Sequence, residues 1–235
     1  MRRFGVGIFF ALLFMTAGAP ARAADDWRAC NNISYRPIEI TVPACTRLIE
    51  QGDLDTAELR LALRRRADAF YFGSSFKSVQ AERTALLARA LADIDGAIAL
   101  DPAEAPPGDP PIWLGSLGLA RADVLLELGR SKQAAEAYTE AMEKVPGAAA
   151  YARFGRALAF ANLGRFDAAL ADMTALVESE PEETKWIFLR AEINEKAGRR
   201  EAAIADYEAT LRLNPDYVSA GQALERLRAT GSDDD

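Results

Sequence analysis

The chain contains no histidine and only two cysteines in 235 residues. The missing imidazole excludes a Ser-His-Asp or Cys-His nucleophile and every histidine metal site. Two thiols without further ligands make no metal centre, and no glycine-rich phosphate loop is present. Paired carboxylates do occur, Asp93 with Asp95 and Glu182 with Glu183, but on helices or turns where solvated charge is their ordinary explanation. The chain is therefore expected to be neither an enzyme nor a carrier of a metal or cofactor. Positive charge is also short, with 28 Lys and Arg against 35 Asp and Glu for a net −7. Nucleic acid is an unsuitable partner, because affinity there rests on cations that neutralise phosphates. Beyond the N-terminus no segment approaches about 20 uninterrupted apolar residues, so no membrane span is expected in the rest of the chain. Clusters of β-branched residues are few. Alanine, leucine, glutamate and arginine dominate instead, which predicts an all-α chain.

At the N-terminus Met1-Arg2-Arg3 is followed by an apolar run from Phe4 to Ala17 and by Ala21-Arg22-Ala23. The pattern is that of a secretory signal peptide over 1–23, cleaved after Ala23, and it places the mature chain in the periplasm or outside the cell. Arg2-Arg3 fits the twin-arginine signal poorly, and the polar stretch before Cys30 argues against a lipid anchor. Cleavage removes Arg2, Arg3 and Arg22 and no acid, taking the net charge from −7 to −10. In an oxidising compartment Cys30 and Cys45 read as a disulfide, worth roughly 3 kcal/mol in the chain-entropy model. A redox or free-thiol role is the alternative.

Self-similarity is the dominant feature. Gly129, Gly164 and Gly198 lie 35 and 34 residues apart, and Pro146, Pro181 and Pro215 keep the same intervals. Between each glycine and its proline runs an apolar stripe at i, i+4 and i+7: Ala134, Tyr138 and Ala141; Ala169, Met173 and Leu176; Ala203, Tyr207 and Thr210. Each unit is predicted to be a helix, a turn at glycine, a second helix, and a stop at proline. No such hairpin can bury its stripe alone, so successive hairpins must stack. The small residues Ala122, Ala157 and Ala191, with the glycines, alanines and prolines above, resemble the tetratricopeptide repeat. The family's tryptophan or leucine in the first helix is replaced here by Gly118, Arg153 and Ile187.

An irregular earlier copy combines Ala62 to Phe72 with Ala90, Ile94, Ala97 and Pro102, joined by about eleven extra residues centred on Gly73 to Ser78 and read as a loop. The proline-rich, acidic stretch Pro102 to Pro111 then forms a connector. The expected layout is a disulfide-tied cap over 24–58 and an array over 59–229. Its repeats fall at about 60–102, 115–147, 150–183 and 184–216, followed by a capping helix over 217–229. The tail over 230–235 is acidic and expected to be disordered. A two-cysteine segment ahead of such an array also looks like a recurring arrangement among exported bacterial tetratricopeptide proteins.

The resemblance implies a helical-hairpin solenoid whose concave face is lined by the first helix of each unit. Carried over residue by residue, that face holds Leu119, Asp123, Leu126 and Glu127; Tyr151, Phe154, Leu158 and Asn162; and Lys185, Phe188, Glu192 and Glu195. The aromatics there serve as anchors for a peptide or as packing against the next helix. The lysine-ringed carboxylate clamp of some family members is not reproduced. An arginine recurs before the first-helix alanine of every unit, as Arg66, Arg121, Arg156 and Arg190, and an aspartate recurs on the second helix as Asp93, Asp172 and Asp206, with Ala137 in the remaining unit. Internal pairing is one reading of this pattern. The other gives Arg121, whose unit lacks the aspartate, a partner's carboxylate to grip. The function implied is a protein-interaction scaffold of the bacterial envelope that binds a peptide or helix of another protein. The alternative is a structural protein that self-assembles into homo-oligomers.

Overall fold

The computed structural model describes residues 19–32, 37–100 and 117–230. Most of the expected signal peptide, most of the connector after Pro102 and the acidic tail lie outside the described residues. Among the described residues the chain is a succession of α-helices with no strand. They are α1 (Ala19–Asn31), α2 (Thr41–Gln51), α3 (Thr56–Ser74), α4 (Gln80–Leu100), α5 (Leu117–Glu127), α6 (Ser131–Lys144), α7 (Ala149–Asn162), α8 (Phe166–Ser179), α9 (Thr184–Lys196), α10 (Arg200–Leu213) and α11 (Val218–Thr230). Each helix packs on the next in sequence, and α5 also touches α7, so the first helices of these two hairpins lie side by side.

The turn glycines act as the spacing predicts. Gly129, Gly164 and Gly198 hold φ of 73°, 70° and 73°, a left-handed conformation open to glycine at no steric cost. In the first turn Arg130 N donates to Leu125 O at 2.8 Å and Gly129 N to Leu126 O at 2.9 Å, which satisfies two carbonyls left over at the helix end. Arg165 to Phe160 and Arg199 to Asn194 repeat the longer bond at 2.9 and 2.8 Å. The second helices α6, α8 and α10 end at Lys144, Ser179 and Leu213, each two residues ahead of its proline. At the head of the array Asp55 and Glu58 cap α3 reciprocally: Glu58 N donates to the Asp55 carboxylate at 2.8 Å, and Asp55 N to that of Glu58 at 3.0 Å.

Small residues let the helices approach closely. Ala122, Ala134, Ala152, Ala157, Ala169, Ala191 and Ala203 are fully buried, while Tyr138, Met173 and Tyr207 fill the space between hairpins. Burial of each large side chain contributes about 1.5–3 kcal/mol.

The N-terminal segment is itself a hairpin. Cys30 and Cys45 form the disulfide between α1 and α2, the buried Asp26 pairs with Arg47, and Leu48 and Ala44 pack with Ala62 of α3. Helix α1 was not read from the sequence, and it runs across the cleavage point expected after Ala23.

The loop read from sequence over Gly73 to Ser78 lies at 75–79, and it takes up only part of the extra residues of the first repeat. The rest lengthen both helices, α3 to 19 residues and α4 to 21. Gly73 and Ser74 are the last turn of α3 and are buried. A Cβ on Gly73 would lie 2.5 Å from the side chain of Ile38, so glycine is what admits the N-terminal segment there. Phe72, Phe76 and Val79 remain exposed around the connection, at 43%, 72% and 52%.

Candidate binding groove

The recurrent arginines are engaged within the fold. Arg66 donates through Nε and Nη2 to both oxygens of Asp93 at 2.8 and 2.7 Å, and Arg156 does the same to Asp172 at 2.8 and 2.7 Å. Arg190 grips Asp206 at 2.9 and 2.7 Å. The third arm reaches back to the preceding helix, Arg66 to Thr46 and Arg156 to Thr139, both at 3.1 Å. Each fork therefore ties the two helices of one hairpin, and two of them also tie that hairpin to its predecessor. Arg121, whose unit lacks the aspartate, instead donates one bond to Asp95 of the previous repeat at 2.7 Å. That pair is half exposed, unlike the other three.

The expected groove residues separate into two cavities. The first, of about 160 Å³, lies between α3, α5 and α7 and gathers Asp123, Leu126, Glu127, Tyr151, Phe154 and Leu158. Tyr71, Tyr138 and Gly155 complete its wall, and none of them was singled out as a groove residue from sequence. Tyr138 belongs to the second-helix stripe read as core. Its ring is core, but its hydroxyl donates to Asp123 Oδ1 at 2.6 Å, while Tyr151 donates to Oδ2 at 2.9 Å. Gly155 makes this possible, because a Cβ there would sit 2.2 Å from the Tyr138 ring. A glycine inside a helix costs about 1 kcal/mol relative to alanine. The close approach of the ring is the reason for it here.

Burial pushes the Asp123 carboxyl up from an ordinary 3.8 to about 6, against the lowering effect of its two tyrosine hydrogen bonds, and the charge of Glu127 raises it further. Burial likewise pushes Tyr71 to about 12, aided by Asp123 and Glu127, and raises Tyr138 and Tyr151. Glu127 pairs with Arg83 of α4.

The second cavity, of about 440 Å³, lies between α9, α10 and α11 and gathers Phe188, Glu192 and Glu195 with Tyr207 and Arg226. Tyr207 donates to Glu195 Oε2 at 2.9 Å, and Arg226 of α11 donates to both Glu195 oxygens at 2.8 and 3.0 Å. The groove aromatics both line these cavities and pack. Phe154 lies 5.4 Å from Trp186, and Phe188 lies 5.7 Å from Tyr207 and 4.8 Å from Tyr217, between ring centroids. Lys185 sits over Phe154 and Trp186, at 5.0 and 4.8 Å. Lys185 and Arg121 border neither cavity, and two further expected residues take other places. Leu119 is 2% exposed and belongs to the core, and Asn162 is exposed at the end of α7 and borders neither cavity.

The tetratricopeptide-repeat family model matches residues 119–183 and, in a second register, 154–218. The fold is a tetratricopeptide-repeat (TPR) solenoid. Solved TPR-type structures agree with the arrangement. MamA from Desulfovibrio magneticus RS-1 is similar at a TM-score of 0.62 and 16% identity, over 85% of this chain and 96% of that one. A double mutant of RS-1 MamA gives 0.60 and 17%, over 84% and 94%. YrrB, a TPR protein with an unusual peptide-binding site, gives 0.51 and 21%, over 78% and 90%. At these identities the likeness shows the fold alone. No curated protein matches the sequence significantly. Within the TPR frame, one cavity opens among α3, α5 and α7 and the other among α9, α10 and the capping helix α11, and the bidentate arginine pairs tie α3, α7 and α9 each to the second helix of its hairpin.

Proposed function

We propose that this TPR scaffold binds a peptide or helical segment of another exported protein along its first-helix face. The observation that carries the reading is the pairing, twice on that face, of aromatic walls with a tyrosine-bound carboxylate. The two sites centre on Asp123 and Glu195. Rings next to a few placed polar groups are the composition of a peptide-binding surface. Stacked hairpins hold that surface open before binding, so little ordering entropy is lost when a partner docks. The contact residues on this reading are Asp123, Leu126, Glu127, Tyr151, Phe154 and Leu158 in one cavity and Phe188, Glu192 and Glu195 in the other, with Lys185 over the Phe154 ring. Arg121 contributes through its exposed edge if Asp95 releases it. Export, with a signal peptide over 1–23 and a cap over 24–58 ahead of the array, is supported by the charged-then-apolar N-terminus and by the Cys30 to Cys45 bridge.

Selection of a random peptide library on the immobilised protein tests this. Enriched peptides should lose binding to Phe154→Ala and Leu158→Ala and keep it on Phe76→Ala. No enrichment, or enrichment indifferent to the groove substitutions, contradicts the reading. A second reading, self-assembly, draws on the exposed Phe72, Phe76 and Val79 at one end of the first repeat. Light scattering separates the two, since a monodisperse monomer removes self-assembly.

A further inference from the structure

Five aspartates are buried among the described residues: Asp26, Asp93, Asp123, Asp172 and Asp206. Four of them are gripped by a guanidinium, from Arg47, Arg66, Arg156 and Arg190 respectively. Asp123 is the exception. Its two oxygens accept only from Tyr138 and Tyr151, and no arginine or lysine contributes to its ionisation. The groups that face it are Tyr71 from α3, Glu127 from its own helix, Tyr138 from α6 and Tyr151 from α7. Arg83 of α4 pairs with Glu127 through Nη2, and its charge acts on Tyr71 but is not among the influences on Asp123. A carboxylate withdrawn from water is costly unless a cation compensates it. This one is withdrawn, lacks the cation, and borders a cavity.

The molecule shows what completes such a group. In the other cavity the tyrosine-bound carboxylate of Glu195 holds both of its oxygens against Arg226, delivered by α11. That helix occupies the place a next repeat's first helix would take. The Asp123 site has the same tyrosine-to-carboxylate core and aromatic flanks, and its arginine is missing. Its volume of about 160 Å³ is below the range of pockets that enclose a whole small molecule, and suits one side chain.

We propose that the cavity among Asp123, Tyr138 and Tyr151 receives a cationic side chain, arginine or lysine, from the segment bound on the first-helix face. The inference rests on the groove reading above and specifies its partner. The carboxylate keeps a free lone pair on each oxygen, so it can take a two-pronged guanidinium while still accepting from both tyrosines. Tyr71, Tyr151 and Phe154 line the cavity and supply aromatic surface for the charge and alkyl stem of the guest. An acidic chain with net −7 favours the approach of such a segment.

The test uses the same peptide selection, followed by binding measurements on the enriched peptides. Those that depend on Phe154 should share one arginine or lysine. Replacing that arginine by citrulline, which keeps the shape and removes the charge, should weaken binding more than about tenfold, and Asp123→Asn should do the same. Circular dichroism and an unchanged disulfide verify that the variant is folded, and the citrulline peptide gives the answer on unmodified protein. Groove-dependent peptides without a shared cation, or with affinity unmoved by both citrulline and Asp123→Asn, overturn this inference and leave the groove reading standing. Peptides indifferent to Phe154 overturn both. Titration with n-propylguanidinium gives a partner-free measure. Saturable shifts of the Asp123 and Tyr151 amide resonances, lost in Asp123→Asn, support the site, and no saturable shift up to about 0.1 M overturns it.

Discussion

A carboxylate kept for a partner should be a burden to the protein alone, and Asp123 allows that burden to be worked out. Its folded-state carboxyl titrates at about 6 against an ordinary 3.8. At 1.36 kcal/mol per tenfold change in proton affinity, the ionised group subtracts about 3 kcal/mol from folding above that range. The sign follows because an acid raised on folding binds its proton more tightly when folded. The penalty is absent below about pH 4, grows between 4 and 6, and is complete by 7. Asp123→Asn removes the charge and nearly keeps the shape, at the expense of weaker bonds from Tyr138 and Tyr151, each worth about 1 kcal/mol. The variant should therefore be more stable than the natural protein by about 1–2 kcal/mol at pH 7.5, and less stable by about 1–2 kcal/mol at pH 4, where the charge penalty has gone and the weaker bonds remain. Urea unfolding of both proteins at several pH values measures the difference, in which every other titrating group cancels. Repeat arrays can unfold in parts, so hydrogen exchange of α5 and α7 locates the effect. A variant less stable by the same amount at every pH would refute the reasoning.

Gly155→Ala should drive a methyl into the Tyr138 ring and destabilise by about 1–3 kcal/mol despite alanine's better helix propensity, read by thermal melting. Arg156→Ala strands the nearly buried Asp172 and should cost about 3 kcal/mol, while Arg121→Ala, at a half-exposed pair, should cost less than about 1 kcal/mol; chemical denaturation of the two compares them directly. Reducing the Cys30 to Cys45 bridge should lower stability by about 3 kcal/mol, with lost exchange protection concentrated in α1 and α2. Affinity for a cationic groove peptide should fall about tenfold from pH 7 to pH 5 as Asp123 takes up its proton, and Asp123→Asn should abolish that dependence.

The hairpins were legible because their punctuation is local. Glycine is needed where φ turns positive and proline where a helix must stop, and both recur in step. Internal arginine pairing was legible for the same reason, since its partners sit at fixed offsets in three units. The long α3 and α4 were not, because the helical pattern of the inserted residues continues through Gly73, whose glycine serves packing against Ile38 instead of a turn. Helix α1 was hidden by the boundary expected at Ala23. In the groove, register named Asp123 and Tyr151 but not Tyr138 or Gly155. A tyrosine on a core stripe gives no hint that its hydroxyl reaches out of the core, and Gly155 lies off the repeat's glycine position. Leu119 failed as a groove residue because its side chain is buried in the core cluster that α5 shares with the helices around it.

The most direct measurement is amide chemical-shift mapping of the isotope-labelled protein with a peptide from the selection. The account predicts that perturbed resonances cluster on Tyr71, Asp123, Leu126, Tyr151, Phe154 and Leu158, and that Asp123→Asn weakens the complex. Shifts confined to Phe72, Phe76 and Val79, or spread evenly over the helices, would contradict it.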